Sequence, residues 1–226
     1  MKLSVLIPVY NEVTTIEQIV QRVLDAPYEK EIIVVDDGSL DGSREKIQSL
    51  AANGKIQAVM HDNNRGKGAA IRTAIAHAGG DILLVQDADL EYDPRDYPKL
   101  LQPIIEQKAD VVYGSRFRGE GIAMLFWHMI GNRFLTTLTN ILFNAALTDM
   151  ETCYKVFRRE SVRGIHLRSD RFGFEPEFTA KILKAGNRIY EVPISYAGRE
   201  YSEGKKITWK DGVKAVGALL WFRFFD

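Results

Sequence analysis

One cysteine, Cys153, stands in a chain of 226 residues. It has no partner for an internal disulfide and cannot build a Cys-rich metal cluster, and such usage fits a reducing compartment. Histidine is nearly as scarce. His61, His77, His128 and His166 are scattered without metal-ligand spacing, so each reads as structural. Neither sign of charge is in excess: 30 basic and 30 acidic residues give a formal net charge of zero. A general nucleic-acid binder would carry a basic surplus. No uninterrupted apolar stretch has the length of a membrane-spanning helix. The first apolar run, Leu3 to Ile7, is too short for a secretion signal. Linkers of low complexity and internal repeats are missing as well. What remains is the composition of a soluble globular protein, 46% hydrophobic and 27% charged, and a chain long enough for one domain with a sizeable core.

Within that chain, short apolar runs alternate with helical patterns. Leu3–Val9, Glu31–Val35, Lys55–Met60, Asp81–Val85 and Asp110–Tyr113 read as strands. Thr14 and Glu17 form a capping-box pattern ahead of Ile16, Ile19, Val20, Val23 and Leu24. Further helices are predicted around Ile47 and Leu50, over Gly68–Ala78, and from Pro94 to about Gln107. Alternation at this spacing implies βαβ units, and hence an α/β fold: a Rossmann-like, mostly parallel sheet with helices on both faces. Polar residues cluster where the strands end: Tyr10 and Glu12, Asp36 and Asp37, Asp87 and Asp89, Arg116. Ligands of open α/β sheets bind beyond the carboxyl ends of strands, so these residues are expected on one edge. The stretch Gln86-Asp87-Ala88-Asp89-Leu90-Glu91 is the most acidic of them. Two carboxylates with one residue between them can converge on one hard cation, Mg²⁺ or Mn²⁺, which also takes phosphate oxygens and water. Taken alone, D-x-D reads equally well as a solvated acidic turn.

The pattern changes after Gly121. The segment 122–147 is apolar and aromatic, with Asn132, Thr136, Asn140 and Asn144 near one helical face. It reads as one or two amphipathic helices, packed on the core or lying at a membrane surface. Thr148–Arg158 and Arg188–Tyr196 read as strands, and Phe172 to about Ala185 as a helix closed by Gly186-Asn187. The polar loop Ala197–Lys206 suggests a mobile lid, followed by an aromatic C-terminal helix over Thr208–Phe225. One domain spanning 1–226 is expected, with a change of character near 117 and 208–226 as its terminal helix.

Several signatures fail. Gly54-Lys55 is followed by Ile56, which breaks a phosphate-loop match. In Arg65-Gly66-Lys67-Gly68-Ala69-Ala70-Ile71 the third glycine of a dinucleotide fingerprint is absent, although a glycine turn opening a helix still presents amides to phosphate. No nucleophile-elbow G-x-S-x-G occurs. The set that does match is ordered: Pro8-Val9-Tyr10-Asn11-Glu12, Val34-Val35-Asp36-Asp37-Gly38-Ser39, the acidic stretch at 86–91, Gly114-Ser115-Arg116, then Thr148–Lys155, Phe174-Glu175-Pro176-Glu177, and Arg199 with Gly204-Lys205-Lys206. From Leu3 to about Gly212 this resembles the family 2 inverting glycosyltransferases of GT-A fold. Within them it is similar to the polyprenyl-phosphate branch, the dolichol-phosphate mannose or glucose synthases and their bacterial relatives.

The resemblance implies a metal-dependent hexosyltransferase, with residues 1–117 as its nucleotide-sugar-binding half and 118–207 as its acceptor half. It would move mannose or glucose from a GDP- or UDP-hexose to a polyprenyl phosphate, with Mg²⁺ or Mn²⁺ as cofactor. Pro8, Tyr10, Glu12, Val35 and Asp37 would hold base and ribose, with Asp37 ahead of Asp36, and Ala88 would line the donor site. Asp87, Asp89 and Glu91 would bind the cation, although glutamine or a similar polar group is common among relatives at the Glu91 position. Arg116, Arg133, Arg199 and Lys205 would grip phosphates, since a guanidinium fork meets phosphate oxygens bidentately. Asp89, Arg199 and Asp149 would carry the catalysis. Asp149, with Glu175 and Glu177 behind it, is the base candidate for a hydroxyl acceptor; an anionic acceptor phosphate needs no strong base. Lys155 reads as structural. Longer relatives carry membrane spans that this sequence lacks, and 122–147 with the aromatic tail would supply peripheral contact at the cytoplasmic face of the membrane. Two other functions stay open: a GT-A enzyme acting on a hydroxyl acceptor of a polysaccharide, glycolipid or protein, and a non-catalytic nucleotide-sugar-binding protein.

Overall fold

A computed structural model describes residues 1–119, 125–198 and 209–226. The expected lid at 197–206, with Arg199 and Lys205, therefore lies almost wholly outside the described residues, as does the start of the 122–147 segment. Among the described residues a seven-stranded sheet runs in the order β3-β2-β1-β4-β6-β5-β7. Its strands are β1 (Leu3–Val9), β2 (Lys30–Asp36), β3 (Gln57–Met60), β4 (Ile82–Val85), β5 (Val111–Ser115), β6 (Lys155–Arg158) and β7 (Ile189–Pro193). β1 pairs in parallel with both β2 and β4, and β2 with β3. β6 runs antiparallel between β4 and β5, while β5 and β7 are parallel. The sheet is thus mixed and mostly parallel, in agreement with the α/β reading.

Continuous apolar runs make the central strands, because strands covered on both faces need no polar alternation. Val5, Leu6 and Ile7 of β1, Ile33–Val35 of β2 and Leu83–Leu84 of β4 are fully buried. Helices α1 (Ile16–Asp25), α2 (Ser43–Ala52), α3 (Lys67–His77), α4 (Tyr97–Ile105), α5 (Phe126–Phe143), α6 (Phe174–Lys184) and α7 (Trp209–Phe224) complete the fold. The chain leaves β1 towards β2 and β3, then returns to β4 on the other flank of β1. That reversal is a topological switch point, where the carboxyl ends of neighbouring strands open a crevice.

Local boundaries differ from the sequence reading in three places. Thr14 and Glu17 do not cap α1; the helix begins after Thr15, whose hydroxyl donates instead to Glu12 Oε2 at 3.0 Å. Thr148–Tyr154 is loop rather than strand, leaving β6 at Lys155–Arg158, because Thr148, Asp149 and Thr152 bond to other segments (below). Among its described residues the 122–147 segment holds a single helix, α5, and it faces opposite to the usual sense. Leu135, Thr136 and Thr139 are buried, whereas Phe126, Trp127, Ile130, Phe134 and Ile141 are exposed. The middle of its polar stripe points inward: Thr136 Oγ1 accepts from Met150 N at 3.1 Å, and the Asn140 amide both donates to Leu147 O and accepts from Leu147 N.

Candidate active site

The carboxyl end of β4 runs directly into the acidic turn. Gln86, fully buried, fixes that turn from beneath. Its Oε1 accepts from Tyr97 Oη at 2.9 Å and Tyr154 Oη at 2.8 Å, while Nε2 donates to Asp87 O at 3.0 Å. Leu90 takes a positive φ of 64° at the apex, and Glu91 N closes the turn by donating to Asp89 Oδ1 at 3.1 Å. Asp87 and Asp89 stay partly exposed.

Behind Asp87 stands Lys67, the first residue of α3. Its ammonium lies 3.0 and 3.1 Å from the two Asp87 oxygens and 3.1 Å from Glu175 Oε1. Burial alone would lower its pKa, but the Asp87 and Glu175 carboxylates outweigh that and hold it charged, well above the ordinary lysine value. Lys67 belongs to the Arg65–Ile71 stretch that fails as a dinucleotide fingerprint. The signal for it was the glycine pair around it. Gly66 has φ of 100°, and a Cβ on Gly68 would lie 2.2 Å from Ser169 O, so the backbone of 169–171 packs directly on the start of α3.

The loops after β1 and β2 are stitched together on the same edge. Asn11 N donates to Ser39 Oγ at 2.9 Å, Leu40 N to Asn11 Oδ1 at 2.9 Å, and Glu12 N to Ser43 Oγ at 2.8 Å. Pro8 and Tyr10 keep partial exposure here, whereas Glu12 is buried. Two neighbours expected in this pocket are placed otherwise. Val35 is fully enclosed in the core and offers no surface to a ligand. Asp37, at 2% exposure, is engaged within the protein: Oδ1 takes His61 Nδ1 at 2.7 Å and Arg65 N at 3.0 Å, and Oδ2 takes Gly66 N at 2.7 Å. Its carboxylate clamps the turn that leads to Lys67. Asp36 is also buried, bonded to Arg44 Nε at 2.7 Å. Ala88 is buried within the acidic turn.

Arg116 follows β5. Its Nε and Nη2 meet Asp149 Oδ2 and Oδ1, both at 2.7 Å, and its backbone N–H adds a third bond to Oδ2 at 3.0 Å. The guanidinium also lies 5.3 Å from the centre of the Tyr196 ring. Asp149 has no exposed surface, which differs from the role of a solvent-reaching base; it is the fixed partner of Arg116. Glu177 is sealed likewise, bonded to Arg168 N, Ser169 N and Lys181 Nζ. Arg133 is exposed on α5, its guanidinium 5.5 Å from the centre of the Phe117 ring. Lys155 donates to Met150 O and Thr152 O; burial lowers its pKa, and burial with the nearby Glu175 raises that of Glu151.

The expected cation set is only partly assembled. Among the described residues no three His, Cys, Asp or Glu side chains are grouped so as to hold a metal ion between them. Glu91 turns to Tyr196, whose hydroxyl donates to Glu91 Oε2 at 2.8 Å. Asp87 and Asp89 remain, as two accessible carboxylates at the crevice. That donor set fits a hard cation which keeps several waters and takes its other ligands from substrate phosphates.

Nearly the whole chain is similar to known glycosyltransferases. An undecaprenyl-phosphate mannosyltransferase of Micrococcus luteus is 31% identical over 231 residues, covering 98% of this chain and 94% of that protein. A UDP-N-acetylglucosamine–dolichyl-phosphate N-acetylglucosaminyltransferase of Methanococcus voltae is 30% identical over 95% of this chain and 93% of its own length. The crystal structure of glucosyl-3-phosphoglycerate synthase from Mycobacterium tuberculosis, in complex with Mn²⁺, UDP and phosphoglyceric acid, superposes with a TM-score of 0.75 at 19% identity, over all of this chain and 79% of that one; at that identity the likeness speaks for the fold. The family model for glycosyl transferase family 2 matches residues 4–165, and the chain belongs to that family.

Proposed function

We propose that this protein is an inverting, metal-dependent hexosyltransferase that moves a sugar from a nucleoside diphosphate to a polyprenyl phosphate at the cytoplasmic face of a membrane. One observation carries the reading: two partly exposed carboxylates, Asp87 and Asp89, stand at the switch point of the sheet, backed by the charged Lys67. Asp87 and Asp89 hold a divalent ion, Mg²⁺ or Mn²⁺, which when bound supplies counter-charge to the leaving diphosphate. Pro8, Tyr10 and Glu12 receive the nucleoside. Arg116 and Arg133 orient the acceptor phosphate; Arg199 and Lys205 join them on the strength of the sequence pattern alone.

The choice of a phosphate acceptor rests on what the carboxylates are doing. A hydroxyl acceptor needs a base within reach of its proton. Asp149 and Glu177 are fully buried and bonded to Arg116 and Lys181, and Glu175 is almost as buried and bonded to Lys67. An acceptor phosphate is already ionised and needs only to be held.

The test is transfer of labelled hexose from GDP-mannose or UDP-glucose to undecaprenyl phosphate with Mn²⁺ present. Asp89→Ala is expected to abolish transfer while the melting temperature without ligand stays within a few degrees. The unsubstituted protein should melt higher with Mn²⁺ and the preferred nucleoside diphosphate, because ligands that bind only the folded form stabilise it. Full activity in Asp89→Ala, or in excess chelator, would refute the mechanism.

A further inference from the structure

A chain of charged groups runs under the crevice from Asp87 to Arg116. Lys67 joins Asp87 to Glu175. Glu175 lies in the field of Glu151 and Lys155, and Asp149 closes the chain on Arg116 through two bonds of 2.7 Å. Four carboxylates thus meet three cations, Lys67, Lys155 and Arg116. Lys155 donates to Met150 O and Thr152 O and lies 4.3 Å from the centre of the Tyr113 ring, a place that suits a cation. Two oxygens are left over. Glu175 Oε2 and Glu151 Oε1 are both buried without a hydrogen-bond partner among the described residues. Glu175 is 4% exposed and has the Lys67 ammonium on its other oxygen. Glu151 keeps some exposure, although its Oε1 has none to speak of.

Two carboxylates in each other's field, each with an oxygen that nothing solvates, do not both stay ionised; one keeps a proton. Lys67 favours the ionised form of Glu175, which leaves the proton to Glu151. Burial and the neighbouring Glu175 accordingly push the Glu151 pKa from 4.5 up to about 8, against the pull of Lys155 and Arg116. The groups facing Glu151 come from each element around it: Glu175 of α6, Lys155 of β6, Arg116 after β5, Asp149 of its own loop, and the Tyr113 phenol of β5, itself pushed up by burial. We propose that Glu151 is a positioning residue that works as a neutral carboxylic acid: its proton keeps a further negative charge from behind the acceptor-phosphate site at Arg116. With that proton in place three cations balance three carboxylates, and an anionic acceptor meets no opposing field. Without it the floor of the site turns net negative and weakens the hold of Arg116 on phosphate. A protonated Glu151 is also no base for a hydroxyl acceptor.

This assignment rests on the proposed transfer to a phosphate acceptor, and two of its readouts need no transfer. Infrared spectra of the unsubstituted protein near neutral pH should show the carbonyl band of a buried, protonated carboxylic acid. That band should be lost in Glu151→Gln and should fade as pH passes about 8. Because the folded-state pKa is raised, the folded protein holds a proton that the unfolded chain releases, and this group costs stability as pH rises from 4.5 to about 8. Glu151→Gln should remove that slope from the melting temperatures. In transfer assays the KM for undecaprenyl phosphate should rise about tenfold between neutral pH and about pH 9.5, with kcat within about twofold. Glu151→Gln, neutral at every pH, should keep the low KM throughout, and Glu151→Asp should restore the alkaline rise. Ionisation of the acceptor itself is common to all three proteins and cancels in the comparison. A carbonyl band undiminished in Glu151→Gln places the proton elsewhere and overturns the assignment. An alkaline rise in KM that persists in Glu151→Gln overturns it as well. A protein that transfers no sugar yet shows the Glu151 band defeats the transferase reading, and one that transfers sugar without the band defeats this inference.

Discussion

Glu31, near the start of β2, gathers three segments at the end of the sheet remote from the cleft. Its carboxylate accepts from Lys2 Nζ, Ser4 Oγ, Gly79 N and Gly80 N. Burial opposes ionisation, but the bonds from Lys2, Ser4 and Gly79 outweigh it and bring the pKa down from 4.5 to about 2. A carboxylate with a depressed folded-state pKa adds stability that is complete above its unfolded value and is lost as pH falls through the folded one. Urea midpoints of the unsubstituted protein should therefore fall between pH 4.5 and about 2, and Glu31→Gln should flatten that limb. At pH 7 the same variant should lose about 1–2 kcal/mol, the cost of leaving such donors poorly partnered. An unchanged acid limb in Glu31→Gln would show that other carboxylates govern it. Such residues are hard to read from sequence, because their meaning lies in distant partners. Gln86 was legible only as part of an acidic stretch, yet it is tied to Tyr154, 68 positions away. Asp87 and Asp89 were legible because the acid follows an apolar strand directly. Asp37 and Val35 are buried in the structure, and a motif position does not tell whether a side chain faces the cleft or the interior.

Among the elements, strands were the easier half to read. β1, β2 and β4 are nearly continuous apolar runs, and burial on both faces leaves no other use for them. The region 148–154 defeated the same logic. Its β-prone residues serve loop ties, with Thr148 and Asp149 amides bonded to Glu191 and the Thr152 hydroxyl to Gly114 O. Helix α3 was legible by composition, but the reason for its glycines was not. Gly68 admits the 169–171 backbone, and a Cβ there would meet Ser169 O at 2.2 Å. Gly217, in α7, has nothing within 4 Å of the same added atom. Gly68→Ala should destabilise by about 1–3 kcal/mol as packed backbone is forced apart. It should also speed hydrogen exchange at the Ala69 amide, which donates to Asp170 O. Gly217→Ala should instead stabilise by about 0.5–1 kcal/mol through helix propensity. Equal effects at the two sites would show that propensity, not the close approach at α3, decides the cost.

Over the whole molecule, apolar surface is distributed unevenly. The sheet core is closed, yet Phe126, Trp127, Phe134 and Ile141 of α5 and Trp221, Phe224 and Phe225 at the end of α7 are more than half exposed. The two helices pack together, and Arg223 lies 5.8 Å from the centre of the Phe143 ring. No helix among the described residues is long and apolar enough to cross a membrane. Exposed rings interleaved with Arg133, Lys214 and Arg223 are the pattern of a surface that lies in a lipid interface. The lipid-borne acceptor proposed above would give that surface a purpose, since its phosphate would be presented at the headgroup level. Burying one large side chain is worth about 1.5–3 kcal/mol, and basic residues near an anionic surface add about 1 kcal/mol each. The protein should therefore sediment with vesicles containing phosphatidylglycerol, less so with phosphatidylcholine alone, and Trp fluorescence should shift to the blue on binding. Phe126→Ser/Trp127→Ser should weaken partitioning by tenfold or more. The same pair should raise the KM for a long-chain polyprenyl phosphate in vesicles while leaving that for a short, water-soluble prenyl phosphate unchanged. Equal losses with both acceptors would place these rings in acceptor binding itself, and undiminished sedimentation of the double variant would remove the membrane from their role.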